Sequence, residues 1–283
     1  MTLSLSFERA RHIEALAKQH CCKGQDDCAW YHGFWHYLRW LGLGCDAWRH
    51  RDFFLTELEK IHSRDGLRPE VLVSGTADES MLSLVVDAIG TARVTVIDRC
   101  QTPLLLCTEF AAKRGLAIST WQGDIRDASW QASFDVIATH VFLGYFDEDG
   151  RSEVIKSWFR MLKLGGSVVT VQRLRPGFSR PTVGFSPKEL SEFCQAVDQG
   201  LANHGIAAEI RRETVAKARI YGERFLNFAI LSADNILDAF KQAGFRLEQY
   251  ETETPPSRTG AGSGPSVSDG AIFLKIVAVK DHP

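Results

Sequence analysis

The strongest constraint on the fold is a regular alternation of strands and helices between residues 70 and 172. Short apolar runs such as Glu70–Ser74 and Arg93–Asp98 are each followed by a segment with apolar residues at helical spacing. A chain that alternates in this way forms a parallel sheet with helices on both faces. Right-handed crossovers then bring the carboxyl ends of the strands to one edge of the sheet, where ligands bind.

Helical segments flank this alternating region. Residues 1–66 contain three helical patterns and are predicted to form an N-terminal helical cap. Residues 67–283 are predicted to form the main α/β domain, with a helical insertion at about 175–230 before the last helix. The segment 255–270 is rich in glycine, serine and proline, which predicts a mobile loop.

Composition excludes several classes of protein. The chain has 283 residues, of which 33 are basic and 35 acidic, and it has no extended basic block. We therefore expect no nucleic-acid groove. The apolar runs are too short to span a membrane, and the N-terminus lacks an apolar signal core. Seven cysteines, an odd number, favour reduced thiols and a cytoplasmic location. The sequence leaves the oligomeric state open.

Residues suited to binding a nucleoside follow the first three strands. Gly75 permits a tight turn and close backbone approach. Asp98 ends the second strand, where a carboxylate can accept both ribose hydroxyls. Asp124 follows the third strand and could accept an adenine amino hydrogen, while Ile125 could pack on the ring. The competing interpretation is a plain turn glycine and two aspartates that cap helices.

In order and spacing, these motifs resemble the class I S-adenosylmethionine-dependent methyltransferases over residues 70–173 and 232–280. Further points of likeness are the fourth strand, at 134–137, and the Leu-Lys-Leu-Gly-Gly turn at 162–166. The resemblance implies a doubly wound, seven-stranded, mostly parallel sheet with a C-terminal antiparallel hairpin. It also implies S-adenosylmethionine as cofactor, with nine candidate binding residues: Ser74, Gly75, Thr76, Ala77, Asp98, Arg99, Asp124, Ile125 and Thr139.

The first turn departs from the family pattern. The family has an acid two residues before the first glycine and two further glycines, but these positions hold Val73, Ala77 and Glu79. Two alternatives to a methyltransferase therefore stay open. One is a degenerate or cofactor-binding module that acts through a partner. The other is a nicotinamide-dependent oxidoreductase, since Asp98 also suits NAD, although Asp78 and Glu79 at a helix N-terminus disfavour phosphate.

The segment after the fourth strand faces the transferred methyl group in the family that this chain resembles. His140 lies there and is predicted to act as general base, with an ionisation near pH 6–7. Alternatively it is a wall histidine, or it only positions a carboxylate acceptor that needs no base. O-methylation of a small-molecule or peptide acceptor is favoured over N-methylation, and the sequence does not identify the acceptor.

Six residues are predicted to bind the acceptor: Tyr31, His32, Trp35, Tyr145, Arg173 and Tyr221. The first three lie on an aromatic helix that is expected to roof the pocket. Arg173 could bind a substrate carboxylate bidentately, or it could pair with an insertion-helix acid such as Glu209 or Glu213. For Arg175 the ion pair is the favoured interpretation.

A metal site is the remaining alternative. Cys22, Cys28, His32 and His36 have a spacing that could form a tetrahedral zinc site. This spacing matches no zinc motif, and free cysteines commonly serve as small buried hydrophobic residues. We therefore predict no metal site and leave the zinc interpretation open.

Overall fold

The computed structural model describes residues 5–24, 27–65, 68–254, 264–265 and 272–282. In these residues the α-helices are α1 (Phe7–His20), α2 (Ala29–Trp40), α3 (Arg51–Asp65), α4 (Ser80–Ala88), α5 (Gln101–Lys113), α6 (Glu148–Met161), α7 (Pro187–Asn203), α8 (Ala208–Arg224) and α9 (Ala233–Gln242). The strands are β1 (Glu70–Ser74), β2 (Arg93–Asp98), β3 (Ile118–Gln122), β4 (Phe134–His140), β5 (Leu162–Leu174), β6 (Thr182–Val183), β7 (Asn227–Phe228), β8 (Arg246–Glu253) and β9 (Ile272–Val279). Of the predicted loop 255–270, all but Gly264 and Pro265 lies outside the described residues.

Seven strands form one sheet in the order β3-β2-β1-β4-β5-β9-β8. The five strands from β3 to β5 are parallel, whereas β9 pairs antiparallel with both β5 and β8. The central strands are apolar and buried because helices cover both faces of the sheet. The predicted doubly wound sheet with a C-terminal antiparallel hairpin is therefore confirmed.

The helices pack on the sheet in two layers. One core places α3, α4 and α5 against one face, and the other places α6 and α9 against the opposite face. Phe54 and Leu58 of α3 are fully buried in the first core. The third N-terminal helix therefore packs with the sheet, because its apolar face continues the core of α4. The division of the chain at residue 66 stays a prediction.

A third core joins α1 and α2 to α7 and α8 above the carboxyl edge of the sheet. The capping box of Ser186 and Glu189 starts α7. The last insertion helix, predicted to reach Ile230, ends at Arg224, because the following residues pair as β7 with β6. In the described parts of the chain, no helix has the length and apolar character that crossing a membrane requires.

Candidate active site

A cavity of about 390 Å³ lies at the carboxyl edge of the sheet, beneath the third core. Seven of the nine candidate cofactor residues line it: Gly75, Thr76, Ala77, Asp98, Arg99, Asp124 and Ile125. His140 and all six candidate acceptor residues line the same cavity. The fold thus brings together side chains from both halves of the chain, and their individual roles stay predictions.

Two candidate cofactor residues lie elsewhere. Ser74 and Thr139 are fully buried in strands β1 and β4 and do not line the cavity. The Ser74 hydroxyl accepts a hydrogen bond from Trp158 Nε1 at 2.9 Å, so it serves the packing of α6 on the sheet. Side chains alternate along a strand, so only some residues at its end face the edge. The cofactor contacts predicted for Ser74 and Thr139 stay predictions.

The turn after β1 requires a glycine, because its backbone has a positive φ angle at Gly75. Gly75 has φ +69°, and a Cβ atom there would lie 2.2 Å from the Phe142 ring. Its backbone N–H donates to the Ile97 carbonyl at 2.9 Å, and the next N–H, of Thr76, donates to Asp98 Oδ2 at 3.0 Å. The glycine therefore lets the turn pack closely against the Phe142 ring, and both residues line the cavity.

Asp98 faces the cavity at the end of β2. One carboxylate oxygen accepts the Thr76 N–H and the other accepts the Cys100 N–H at 2.7 Å. Each oxygen keeps further acceptor capacity for a ligand hydroxyl. Burial raises the pKa of Asp98 above its ordinary value, against the opposing effect of His32. The arrangement fits two neighbouring hydroxyl groups, as in a ribose.

Asp78, a buried acid, also lines the cavity. In the sequence this residue serves only as an argument against phosphate binding. Asp78 accepts a hydrogen bond from Trp35 Nε1 at 2.5 Å and pairs with Arg39 at 3.2 Å. Burial raises the pKa of Asp78, but Arg39 and His36 outweigh this and lower the pKa to about 2. Asp78 is therefore ionised at neutral pH. It stands close to the first turn, where the family's usual acid is replaced by Val73.

Arg39 also forms ion pairs with two other acidic residues. It pairs with Asp46 at 2.9 Å and with Glu79 at 3.5 Å. Burial raises the pKa of both carboxyls, and the neighbouring Asp78 adds to the effect. The cavity wall near the first turn thus holds more acidic than basic groups. This arrangement favours a cationic ligand.

Asp124 has a partner within the protein. Arg126 donates to both of its carboxylate oxygens, at 3.0 and 2.8 Å, and these bonds lower the pKa of Asp124. Ile125 beside it is buried and lines the cavity. A contact from Asp124 to an adenine amino group remains a prediction, since only its unused lone pairs can make it.

His140 has a partner that the sequence did not reveal. His50 Nδ1 lies 3.0 Å from His140 Nε2, and His50 comes from the short 3-10 helix Ala47–His50 before α3. Burial lowers the pKa of His140 to about 3 and that of His50 to about 2. Both rings are neutral at neutral pH. This lowered pKa of His140 lies below the expected ionisation near pH 6–7, because burial disfavours its charged form. The ionisation of His140 stays a prediction.

The backbone after His140 is strained. Val141 has φ +50°, a conformation that a β-branched residue rarely adopts. Its N–H donates to the Val171 carbonyl at 2.8 Å, which helps to hold it there. This turn presents His140 and Phe142 on the cavity wall. Strain of this kind tends to occur at functional sites.

Arg173 extends β5 into the same end of the cavity. Its Nη1 donates to the Pro265 carbonyl at 2.6 Å, and Arg175 donates to that carbonyl as well. Burial and Arg175 lower the pKa of Arg173 to about 9, so it stays protonated at neutral pH. In the described residues Arg175 forms no ion pair with Glu209 or Glu213, but Glu189 of the insertion helix α7 raises its pKa electrostatically against the larger effect of burial. The ion pair favoured for Arg175 with an insertion-helix acid stays a prediction.

Aromatic side chains roof the cavity. Tyr31 of α2 lies nearly parallel to Trp35 and to Tyr221 of α8, with ring centroids 6.1 and 5.9 Å apart. Its hydroxyl lies 2.6 Å from that of Tyr145, which follows β4. The hydrogen bond joins the cap to the sheet edge across the cavity. Such a roof can exclude water from a bound acceptor.

The proposed zinc set does not converge. Among the described residues, no three of Cys22, Cys28, His32 and His36 bring their ligand atoms within 4.8 Å of one another. His36 instead lies beside Asp78 and Arg39. Two other sets do converge within 4.8 Å: Cys21 with Cys28 and Cys100, and Cys45 with His50 and His140.

Comparison with known proteins finds a match over the region that carries much of this site. A family model described as a methyltransferase domain matches residues 71–166. The match covers about a third of the chain's 283 residues, and this part of the chain is similar to that family. The matched segment of this methyltransferase-fold chain carries Gly75, Asp98, Asp124 and His140. No curated protein sequence matches the chain.

Solved structures share the fold at low identity. An S-adenosylmethionine-dependent methyltransferase from Methanosarcina mazei is 17% identical, with a TM-score of 0.52 over 78% of this chain and 96% of that one. A 1,6-didemethyltoxoflavin-N1-methyltransferase from Burkholderia thailandensis is 13% identical, with a TM-score of 0.54 over 100% and 94%. The [4+2]-cyclase SpnF is 14% identical, with a TM-score of 0.51 over 81% of each chain. A methyltransferase fold therefore does not by itself fix the reaction.

Proposed function

We propose that this protein is an S-adenosylmethionine-dependent methyltransferase that esterifies a carboxylate of a small-molecule acceptor. The observation that carries the proposal is the opposite charge of the two ends of one cavity. Asp78 and Asp98 lie at the end formed by the first turn and the end of β2, and Arg173 of β5 lies at the other end with the neutral His140. A cationic methyl donor and an anionic acceptor match these two ends.

The residues of the first end fit the cofactor. Gly75 lines the cavity and packs closely against Phe142, and Asp98 offers acceptors to the two ribose hydroxyls. Asp78 is ionised and faces the cavity, which favours an ammonium or sulfonium group. When bound, S-adenosylmethionine supplies the methyl group as a sulfonium. The same carboxylate opposes a pyrophosphate, which argues against the nicotinamide alternative.

The residues of the second end favour a carboxylate acceptor over a hydroxyl. A general base works best when its pKa lies near the operating pH, and the pKa of His140 is only about 3. A carboxylate is already ionised and needs no base. Arg173 carries its positive charge despite burial, so an acceptor anion beside it is stabilised. His140 then positions the acceptor as a neutral hydrogen-bonding partner.

Methyl transfer to a carboxylate consumes one positive and one negative charge. The acceptor oxygen forms a bond to the methyl carbon as the sulfur–methyl bond breaks, and the products are an ester and a neutral thioether. The chain aligns the two reactants from opposite ends of the cavity. Tyr31, Trp35 and Tyr221 form an aromatic roof that reduces the contact of the reactants with water, which strengthens the electrostatic interactions inside.

Two measurements test the proposal. Calorimetric titrations should detect binding of S-adenosylmethionine and S-adenosylhomocysteine but not of NAD. Methyl-labelled cofactor should then transfer label to small carboxylic acids and not to their primary amides, and alkali should release the label as methanol. Label that resists alkali would refute esterification. Cofactor binding without transfer to any acceptor would favour the partner-dependent module instead.

A further inference from the structure

Three cysteines from separate elements meet beside the cofactor end of the cavity. Cys21 follows α1, Cys28 precedes α2 and Cys100 precedes α5. The sulfur atoms of Cys21 and Cys100 are 3.4 Å apart, and all three sulfur atoms lie within 4.8 Å of one another. Cys21 and Cys100 are buried, whereas Cys28 is partly exposed and lines the cavity. The proposed methyl transfer uses none of the three.

We propose that Cys21, Cys28 and Cys100 form a binding site for a thiophilic divalent metal ion such as Zn²⁺. Thiolate ligands lie about 2.3 Å from zinc, which places the sulfur atoms of a tetrahedral site ~3.8 Å apart. The Cys21–Cys100 sulfur separation is 3.4 Å and the other two are at most 4.8 Å, so small shifts would give this geometry. Three protein ligands leave a fourth position for water or another ligand on the exposed side of Cys28.

The chemistry balances without a redox step. The metal ion replaces the protons of three thiols, the protons pass to solvent, and the resulting three-thiolate complex carries one net negative charge. A disulfide between Cys21 and Cys100 would instead need an oxidant and would leave Cys28 unused. The convergence of three sulfur atoms therefore favours a metal.

The second converging set is less suited to a thiophilic metal ion. It offers one sulfur and two imidazole nitrogens instead of three sulfurs. Charges of both signs lie near it, from Arg49, Arg173 and Lys275 and from Asp46 and Glu253. The Cys21 sulfur instead lies 3.4 Å from the Cys100 sulfur and 3.2 Å from the Thr102 hydroxyl.

A metal at this site would connect the cap to the cofactor end. It would join the end of α1, the start of α2 and the turn that follows Asp98. The Cys100 N–H already donates to Asp98 Oδ1 at 2.7 Å. We therefore expect metal binding to raise the melting temperature of the whole chain.

The test uses the full chain, reduced and stripped of metal by a chelator. Titration with Cd²⁺ should produce cadmium–thiolate charge-transfer absorption with one ion per chain, and Zn²⁺ should compete for the same site. Serine variants of Cys21, Cys28 and Cys100 should each weaken binding about tenfold or more. The matched control is Cys194→Ser, a buried cysteine of α7, which should bind as the unaltered chain does.

A second readout holds even where a serine variant fails to fold. In the unaltered chain, bound Zn²⁺ should slow alkylation of Cys28 but not of the half-exposed Cys22, as followed by mass spectrometry. Absence of the absorption band would overturn the proposal. So would Cd²⁺ binding that survives Cys21→Ser but is lost in His50→Gln, because the ion would then occupy the other set. Equal alkylation of Cys28 with and without Zn²⁺ would also contradict it.

Discussion

The two ends of the cavity differ in charge and in construction. The cofactor end takes its polar groups from the ends of adjacent strands, and its carboxylates include Asp78, ionised despite burial. The acceptor end combines Arg173 with two histidines that burial keeps neutral. We expect each end of the cavity to bind a reactant of a different charge before methyl transfer, because each end favours a ligand of a different sign.

The largest expected effect lies at the cofactor end. Asp98→Ala removes the charged acceptor for the ribose hydroxyls, a loss of about 1.5–3 kcal/mol for a hydrogen bond to a charged group. The affinity for S-adenosylmethionine, measured by calorimetry, should fall more than about tenfold. The acceptor KM should change little. Unchanged cofactor affinity in a folded Asp98→Ala protein would remove the basis for assigning this end to the cofactor.

The matching change at the acceptor end is Arg173→Ala. We expect the acceptor KM to rise about tenfold, because the acceptor anion loses a charge-assisted hydrogen bond. Cofactor affinity should be preserved. Arg175→Ala is the control, since Arg175 donates to the same Pro265 carbonyl but does not line the cavity. An equal rise of KM in both variants would indicate a structural role for the pair.

Gly75→Ala tests how closely the first turn approaches its surroundings. An alanine there would have to adopt a positive φ, which strains its backbone, and its Cβ atom would also collide with the Phe142 ring. Gly115→Ala is the matched control, because Gly115 has φ +67° with nothing within 4 Å. Both variants should lose about 1 kcal/mol of unfolding free energy from backbone strain. Only Gly75→Ala should also weaken cofactor binding, several-fold by calorimetry.

Protonation at the two ends of the cavity should lower the unfolding free energy in different pH ranges. The pKa of His50 is lowered to about 2, so the unfolded chain binds more protons than the folded chain once the pH falls below about 6.5. The unfolding free energy should then decrease with falling pH, whereas the lowered pKa of Asp78 costs stability only below about 4.

Denaturant unfolding at pH 7 and pH 5 checks this expectation. The loss between the two should be smaller in His50→Gln by up to about 1.4 kcal/mol per pH unit, the free energy that corresponds to one pKa unit. An unchanged loss would mean that His50 is not buried as a neutral ring.

The same contrast explains what the sequence could predict. Gly75, Asp98 and Asp124 each follow a strand that the hydrophobic pattern reveals, and parallel topology brings such ends together. The doubly wound, mostly parallel sheet with its C-terminal antiparallel hairpin was predicted from the alternation and the family resemblance, and the structure confirms it. Asp78 was noted in the sequence, but only the structure shows that it lines the cavity.

The acceptor end could not be assembled from local patterns. His50 and His140 are 90 residues apart, and Tyr31 and Tyr145 are 114 apart. No spacing rule links such pairs, because their contact depends on how the cap and α3 pack against the sheet. The sequence predicts an ordinary pKa for His140 for the same reason, since its surroundings depend on this long-range packing.

The smallest expected effect concerns the rate. If His140 only positions a carboxylate, kcat should not change through a histidine ionisation between about pH 5 and 8, because the pKa of His140 lies at about 3. His140→Gln should then lower kcat only a few-fold, far less than the roughly 10²–10⁴ that a general base contributes. Rates measured across this range with saturating cofactor and acceptor provide the check. A loss of about a thousandfold, or a rate that rises through a single ionisation near pH 6–7, would instead identify His140 as a base. The acceptor would then be a hydroxyl, whose proton must be removed. The proposal that the end of the cavity with His140 binds an anionic acceptor would then be wrong.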